Sequence, residues 1–177
     1  LGDPDAPSDL LLRLDLSIAH LLIDEFQDTS DAQNALFERL TAGWQGGDGR
    51  TVFAVGDPMQ SIYRFREAEV RLFLEAREQL RVANVPVTFL DLTRNFRSQT
   101  RIVAWVNDVF PAVFAARDDP WRSAVAYAPS VAVRPALENG PTLELYADPE
   151  AEAAAVVARV QEALEENDAR VAILVRA

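Results

Sequence analysis

The stretch Leu21 to Ser30, LLIDEFQDTS, decides the reading of this chain: an apolar run delivers an Asp-Glu pair, Asp24-Glu25, into a polar turn from which a helix starts. Leu21 to Phe26 reads as a buried strand. Ser30 with Gln33 makes a capping box for a helix that carries Leu36, Phe37 and Leu40 on one face, and Gly43 is placed to end it. An acidic pair at the carboxyl end of a strand suits Mg²⁺, since one carboxylate can hold the ion while its neighbour polarises a water. Adjacent acids at a strand end also commonly just face water. The pair becomes a site only if the rest of the chain can bring a nucleotide to it.

The composition narrows the classes. With 177 residues, 49% of them hydrophobic, the chain is a globular, core-forming protein of one ordinary domain or two partial ones. No apolar run is long enough for a transmembrane helix, and the acidic, proline-containing start lacks the basic and apolar regions of a signal peptide. A cytoplasmic protein is expected. The absence of cysteine excludes disulfides and thiolate metal sites, and with His20 as the single histidine, a metal site would be built from oxygen ligands. That favours Mg²⁺ or Ca²⁺ over Zn²⁺. The net charge of -11 argues against a simple basic nucleic-acid surface, yet several of the arginines gather between Arg64 and Arg101. All 17 basic residues are arginine, so no phosphate loop of the G-x-x-x-x-G-K-[ST] type exists in this sequence. The chain begins at Leu1 rather than Met, which reads as a processed piece of something longer.

Further strands are expected at Thr51 to Val55 and Val87 to Leu92. Val70, Phe73, Leu74 and Leu80 recur at helical spacing, as do Ile102, Val103, Val106, Val109 and Phe110, where Pro111 closes the helix. Prolines at 111, 120, 129, 135 and 141 leave only short helical turns or loop between them, anchored by Trp121 and Tyr127. A strand at Thr142 to Tyr146, a helix from Asp148-Pro149 burying Val156, Val157, Val160 and Leu164, and a strand at Val171 to Val175 read as a βαβ unit. The fold class is therefore α/β, with parallel sheets flanked by helices.

The second strand ends in Gly56-Asp57-Pro58, so two consecutive strands end in acid-bearing turns, where open α/β sheets bind ligands. Tyr63 and Phe65, interleaved with Arg64 and Arg66, suit base stacking and phosphate contact, worth about 1 to 3 kcal/mol per stacked base. Taken alone they read more readily as core anchors beside a solvated face, since alternating aromatics often are core. A third polar turn, Thr93-Arg94-Asn95-Phe96-Arg97-Ser98, precedes the next helix, and there Arg97 could clamp a phosphate or cap carbonyls.

LLIDEFQDTS, VFAVGDPMQSIYRFREAEV and LDLTRNFRSQTRIV, in this order and spacing, resemble three successive motifs of the UvrD/Rep-type superfamily 1 DNA helicases. The nearest flavour is that of the AddA and RecB helicase subunits of recombination exonucleases. The resemblance covers Leu21 to Val103, and the closing VAILVRA is similar to a strand of that family's second motor domain. It implies parts of two RecA-like motor domains: 1–98 as the back half of the first, without its phosphate loop, and 99–177 as the start of the second. It implies ATP and Mg²⁺ as cofactors, with Asp24 and Glu25 at the metal and Glu25 as general base, an effect typically worth about 10² to 10⁴ in rate. Gln60 matches a γ-phosphate sensor, Phe96 an aromatic that stacks on adenine, and Arg97 an arginine on the γ-phosphate, worth about 10³ to 10⁵ in comparable enzymes. Tyr63, Phe65 and Arg66 match contacts to single-stranded DNA. The implied partners are single-stranded or duplex DNA and companion subunits of a helicase-nuclease complex.

Glu67 stands where many relatives have Gly, Met59 where recombination-type members often have Lys, and Phe96 replaces the commoner Tyr. Two other readings stay open. One is a helicase-like scaffold without ATP turnover, binding DNA or partners. The other is an unrelated metal phosphohydrolase built from Asp24, Glu25 and Asp57, which would not need the Gln-Ser-Ile-Tyr and Asn-Phe-Arg-Ser segments. The 177 residues by themselves are expected to be inactive as an ATPase.

Overall fold

The computed structural model describes residues 17–165 and 170–175. The chain divides into two compact units, Leu1–Glu138 and Asn139–Ala177.

In the first unit, β1 (His20–Ile23) and β2 (Thr51–Ala54) pair in parallel, from His20 opposite Thr51 to Ile23 opposite Ala54. A parallel pair needs a crossover, and α1 (Asp31–Leu40) supplies it. The predicted capping box starts this helix: Ser30 Oγ accepts the Gln33 N–H at 3.3 Å, and Gln33 Oε1 accepts the Ser30 N–H at 2.9 Å. The strand alternation turns Leu21, Ile23, Val52 and Ala54 toward a core completed by Phe26, Val82, Phe37 of α1, and Phe73 and Ala76 of α2 (Val70–Gln79). The opposite face carries Leu22 and Phe53, which are 73% and 59% exposed. β1 is therefore half-buried, where a buried strand was expected.

Two short strands, β3 (Arg81–Val82) and β4 (Val85–Pro86), form an antiparallel hairpin after α2. The strand expected at Val87 to Leu92 does not form, and Leu90 and Leu92 are exposed. The next strand is β5 (Arg94–Gln99), lying in the polar stretch read as a turn, and it pairs in parallel with β6 (Val131–Arg134). Four residues between Pro129 and Pro135 are enough for a strand once β5 lies alongside, because the ladder is satisfied by the neighbour whatever the local pattern says. α3 (Thr100–Val109) follows as predicted, with the Gln99 side chain accepting the Arg101 N–H at 2.7 Å, and Pro111 falls in a 3₁₀ turn at its end. Tyr127 does anchor the segment after it, packing on Phe110 and Phe114 and donating its hydroxyl to Asn107 Oδ1 at 2.6 Å. Trp121 does not, since its 3₁₀ turn leaves it 91% exposed.

The second unit is α4 (Pro149–Leu164) with its flanking segments; Asp148 caps it by accepting the Ala151 N–H at 2.8 Å, and Glu150 and Glu152 occupy the first turn. Tyr146 donates to Glu144, and Arg159 of α4 pairs with the same carboxylate, so this exposed group sits below its usual pKa, first through the tyrosine hydrogen bond. Neither 142–146 nor the described part of 171–175 is a strand, and Leu143, Leu145 and Leu174 stand exposed. A strand exists through its ladder, and no described segment pairs with these.

Helices and parallel strand pairs make this an α/β chain, in keeping with a part of a RecA-like fold. No helix among the described residues is long and apolar enough to cross a membrane.

Candidate functional site

Asp24 and Glu25 leave the carboxyl end of β1 and are exposed. Asp24 Oδ1 accepts the Glu25 N–H at 2.9 Å, which turns the chain abruptly, and Glu25 takes a left-handed backbone at φ 50°. A glutamate there stores strain of about 1 kcal/mol or more. The conformation is fixed from both sides: the Phe26 N–H donates to Val55 O at 2.9 Å, and the Asp28 N–H donates to Glu25 O at 2.8 Å. The pair opens onto a groove lined by Leu22, Asp28, Thr29, Gln33 and Phe37.

Beside it, β2 runs into Gly56-Asp57 and a 3₁₀ turn, Pro58–Gln60, which Asp57 caps by accepting the Met59 N–H at 3.0 Å. Gln60 Nε2 donates to Asp57 Oδ2 at 2.8 Å. The two turns are joined through Gln27. Its amide nitrogen donates to Glu25 Oε2 at 2.7 Å, and its amide oxygen accepts the Asp57 N–H at 3.0 Å. Gln27 is only 1% exposed. Ser61 adds a further bridge, its hydroxyl donating to Asp28 Oδ1 at 3.2 Å.

Tyr63, Phe65 and Arg66 cluster on and beside a 3₁₀ turn, Arg64–Arg66. The two rings lie 5.9 Å apart, and the Arg66 guanidinium sits 5.4 Å and 5.5 Å from them. All three are exposed, which rules out the reading of the rings as core anchors. Glu67, ending the turn, has φ 64°, a conformation in which the glycine of many relatives would be unstrained.

Phe96 and Arg97 lie where the β5–β6 register slips between Asn95 and Gln99. Asn95 Oδ1 accepts the N–H groups of Arg97 at 3.0 Å and Ser98 at 2.8 Å, so the backbone here bonds to a side chain within its own strand. Both side chains are displayed to solvent. The structure thus brings together Asp24, Glu25, Asp57 and Gln60, and separately Tyr63, Phe65 and Arg66. No hydrogen bond or ion pair among the described residues ties Phe96 or Arg97 to the acidic pair.

No cluster of three or more metal-ligating side chains exists among the described residues. The donors present still fit Mg²⁺, which takes one or two carboxylates and leaves its other positions to water and phosphate. Asp24 keeps one oxygen outside its backbone hydrogen bond, and Gln27 holds one Glu25 oxygen. Gln27 itself was missed in the sequence, where a glutamine in a polar turn reads as solvated. The available signal was Gly56, a glycine at a strand end. A Cβ there would run into Gln27 Oε1 and approach Phe26 N to 3.0 Å.

Residues 5–81 match the UvrD/REP helicase N-terminal domain. An ATP-dependent helicase/nuclease subunit of Oceanobacillus iheyensis is 34% identical over 108 residues, 61% of this chain and 8% of that protein. The corresponding helicase/nuclease subunit of Heliobacterium modesticaldum is 30% identical over 166 residues, 79% of this chain and 11% of that protein. The exonuclease/helicase subunit RexA of Lactococcus lactis is 40% identical over 90 residues, 51% of this chain and 7% of that protein. The chain therefore spans about a tenth of the length of these relatives. Its acidic turn, the turn after β2 and the aromatic cluster all fall within the matched segment, over which the chain is similar to the UvrD/REP helicase N-terminal domain and to subunits of ATP-dependent helicase/nucleases.

Proposed function

We propose that the chain is an internal part of an ATP-dependent DNA helicase or translocase, moving 3′ to 5′ on single-stranded DNA in recombination or repair. The observation that supports this most is the parallel pair β1–β2, whose adjacent carboxyl ends carry Asp24-Glu25 and Asp57 to Gln60. That is where an open α/β sheet holds its ligand.

Asp24, with Glu25 beside it, would hold Mg²⁺, which would supply positive charge to offset that of the phosphates. Glu25 takes a proton from the attacking water at the carboxylate oxygen that Gln27 leaves free. Gln60 reads the γ-phosphate, Arg97 steadies the charge developing on it, and Phe96 stacks on adenine. Tyr63, Phe65 and Arg66 hold the single strand, a few residues along the chain from the turn that carries Asp57 and Gln60. The boundary between the two motor domains lies just after Ser98. The whole protein works in the cytoplasm with companion subunits of a helicase-nuclease complex.

The test is Glu25→Gln in the full-length protein. DNA-stimulated ATP hydrolysis should vanish while a fluorescent ATP analogue still binds; retained turnover would show that Glu25 is not the base.

A further inference from the structure

Between the base and the phosphate sensor runs an unbroken line of hydrogen bonds. Gln27 Nε2 donates to Glu25 Oε2 at 2.7 Å, the Asp57 N–H donates to Gln27 Oε1 at 3.0 Å, and Gln60 Nε2 donates to Asp57 Oδ2 at 2.8 Å. The middle of this line is rigid. Gln27 is buried, a Cβ on Gly56 would collide with its amide oxygen, and Asp57 is fixed by the Met59 N–H at 3.0 Å. The end at Gln60 is exposed.

We infer that Gln27 is a positioning residue that aims the Glu25 carboxylate and couples it to Gln60 through Asp57. This rests on the reading of Glu25 as the base and Gln60 as the sensor. A glutamine suits the position because one planar amide offers a donor to a carboxylate on one side and an acceptor to a backbone N–H on the other. Gln60, paired with Asp57, has to exchange that partner for phosphate, and the exchange alters the group that orients Gln27. The nucleotide's arrival at the sensor is thereby felt at the base, which already sits on strained backbone.

The experiment uses the full-length protein and measures DNA-stimulated kcat, KM for ATP and the binding of a fluorescent ATP analogue for Gln27→Met and Gln27→Glu, with Glu25→Gln alongside. Gln27→Met keeps the bulk and removes the hydrogen bonds of the amide; its kcat should fall about tenfold to a hundredfold with little change in KM for ATP. Gln27→Glu keeps an acceptor for the Asp57 N–H but has no N–H to donate to Glu25, and its kcat should fall in the same way while the analogue still binds. A merely structural role would lower the folded fraction and leave kcat per folded molecule in place. If Gln27→Met fails to fold, the kcat of folded Gln27→Glu decides. An inactive Glu25→Gln beside Gln27 variants with unchanged kcat overturns the coupling alone. A Glu25→Gln protein that still turns over overturns the functional reading beneath it.

Discussion

Phe65 carries a ring that is 76% exposed, held between Tyr63 and the Arg66 guanidinium. An exposed aromatic braced by a cation gives up little conformational freedom when a base stacks on it. Phe65→Ala in the full-length protein should cost about 1 to 3 kcal/mol of single-strand affinity, roughly fivefold or more in Kd, and weaken stimulation of the ATPase by DNA. Fluorescence anisotropy with a labelled oligonucleotide measures the first, and unchanged affinity would mean that the ring serves another purpose. At this scale the sequence put the acids at a strand end, where the structure has them, and left open whether the aromatics interleaved with arginine are buried or displayed. It was silent on Gln27, because the burial of an amide depends on what the chain thirty residues later brings against it, here Gly56 and the Asp57 N–H.

Among the elements, α1 is the crossover that makes β1 and β2 parallel, and it depends on its start. Ser30→Ala removes the hydroxyl that accepts the Gln33 N–H and should lower stability by about 1 kcal/mol. Urea denaturation should show a lower midpoint with an unchanged slope, and an unchanged midpoint would mean the Gln33 arm of the box suffices. This helix was legible because its signals are local: a cap, an amide three residues on, an apolar stripe. β5 and β6 were not. Their strand character comes from each other, across more than thirty residues, and an Asx turn at Asn95 hides inside the first of them. The same dependence explains 142–146 and 171–175, apolar enough for strands but without a described partner for a ladder.

For the whole molecule, the decisive feature is what the groove beside Asp24 and Glu25 has to work with. The described carboxylates can hold an ion and activate water, but a chain without a single lysine has no phosphate loop of the Walker type to fix the β- and γ-phosphates. The 177 residues alone should therefore show no ATPase activity with saturating ATP, Mg²⁺ and single-stranded DNA. Phosphate release stimulated by DNA from the purified chain would overturn this. The apolar face of β1–β2 adds a physical reason, since Leu22 and Phe53 stand uncovered on the sheet that carries both acidic turns. A sheet covered on one side only is poorly braced against fraying of the turns it presents.

The register slip in β5 has an arithmetic of its own. Asn95 faces Ala132 and Gln99 faces Arg134, so four steps along one strand match two along the other. The two surplus residues fall between these pairs, and Gln99, back in register, is buried and placed to cap α3. A bulge takes up extra residues by bending the strand that carries them. Phe96 and Arg97 thus sit on the stretch where β5 runs longer than its partner, presented to solvent by the slack between two fixed pairings.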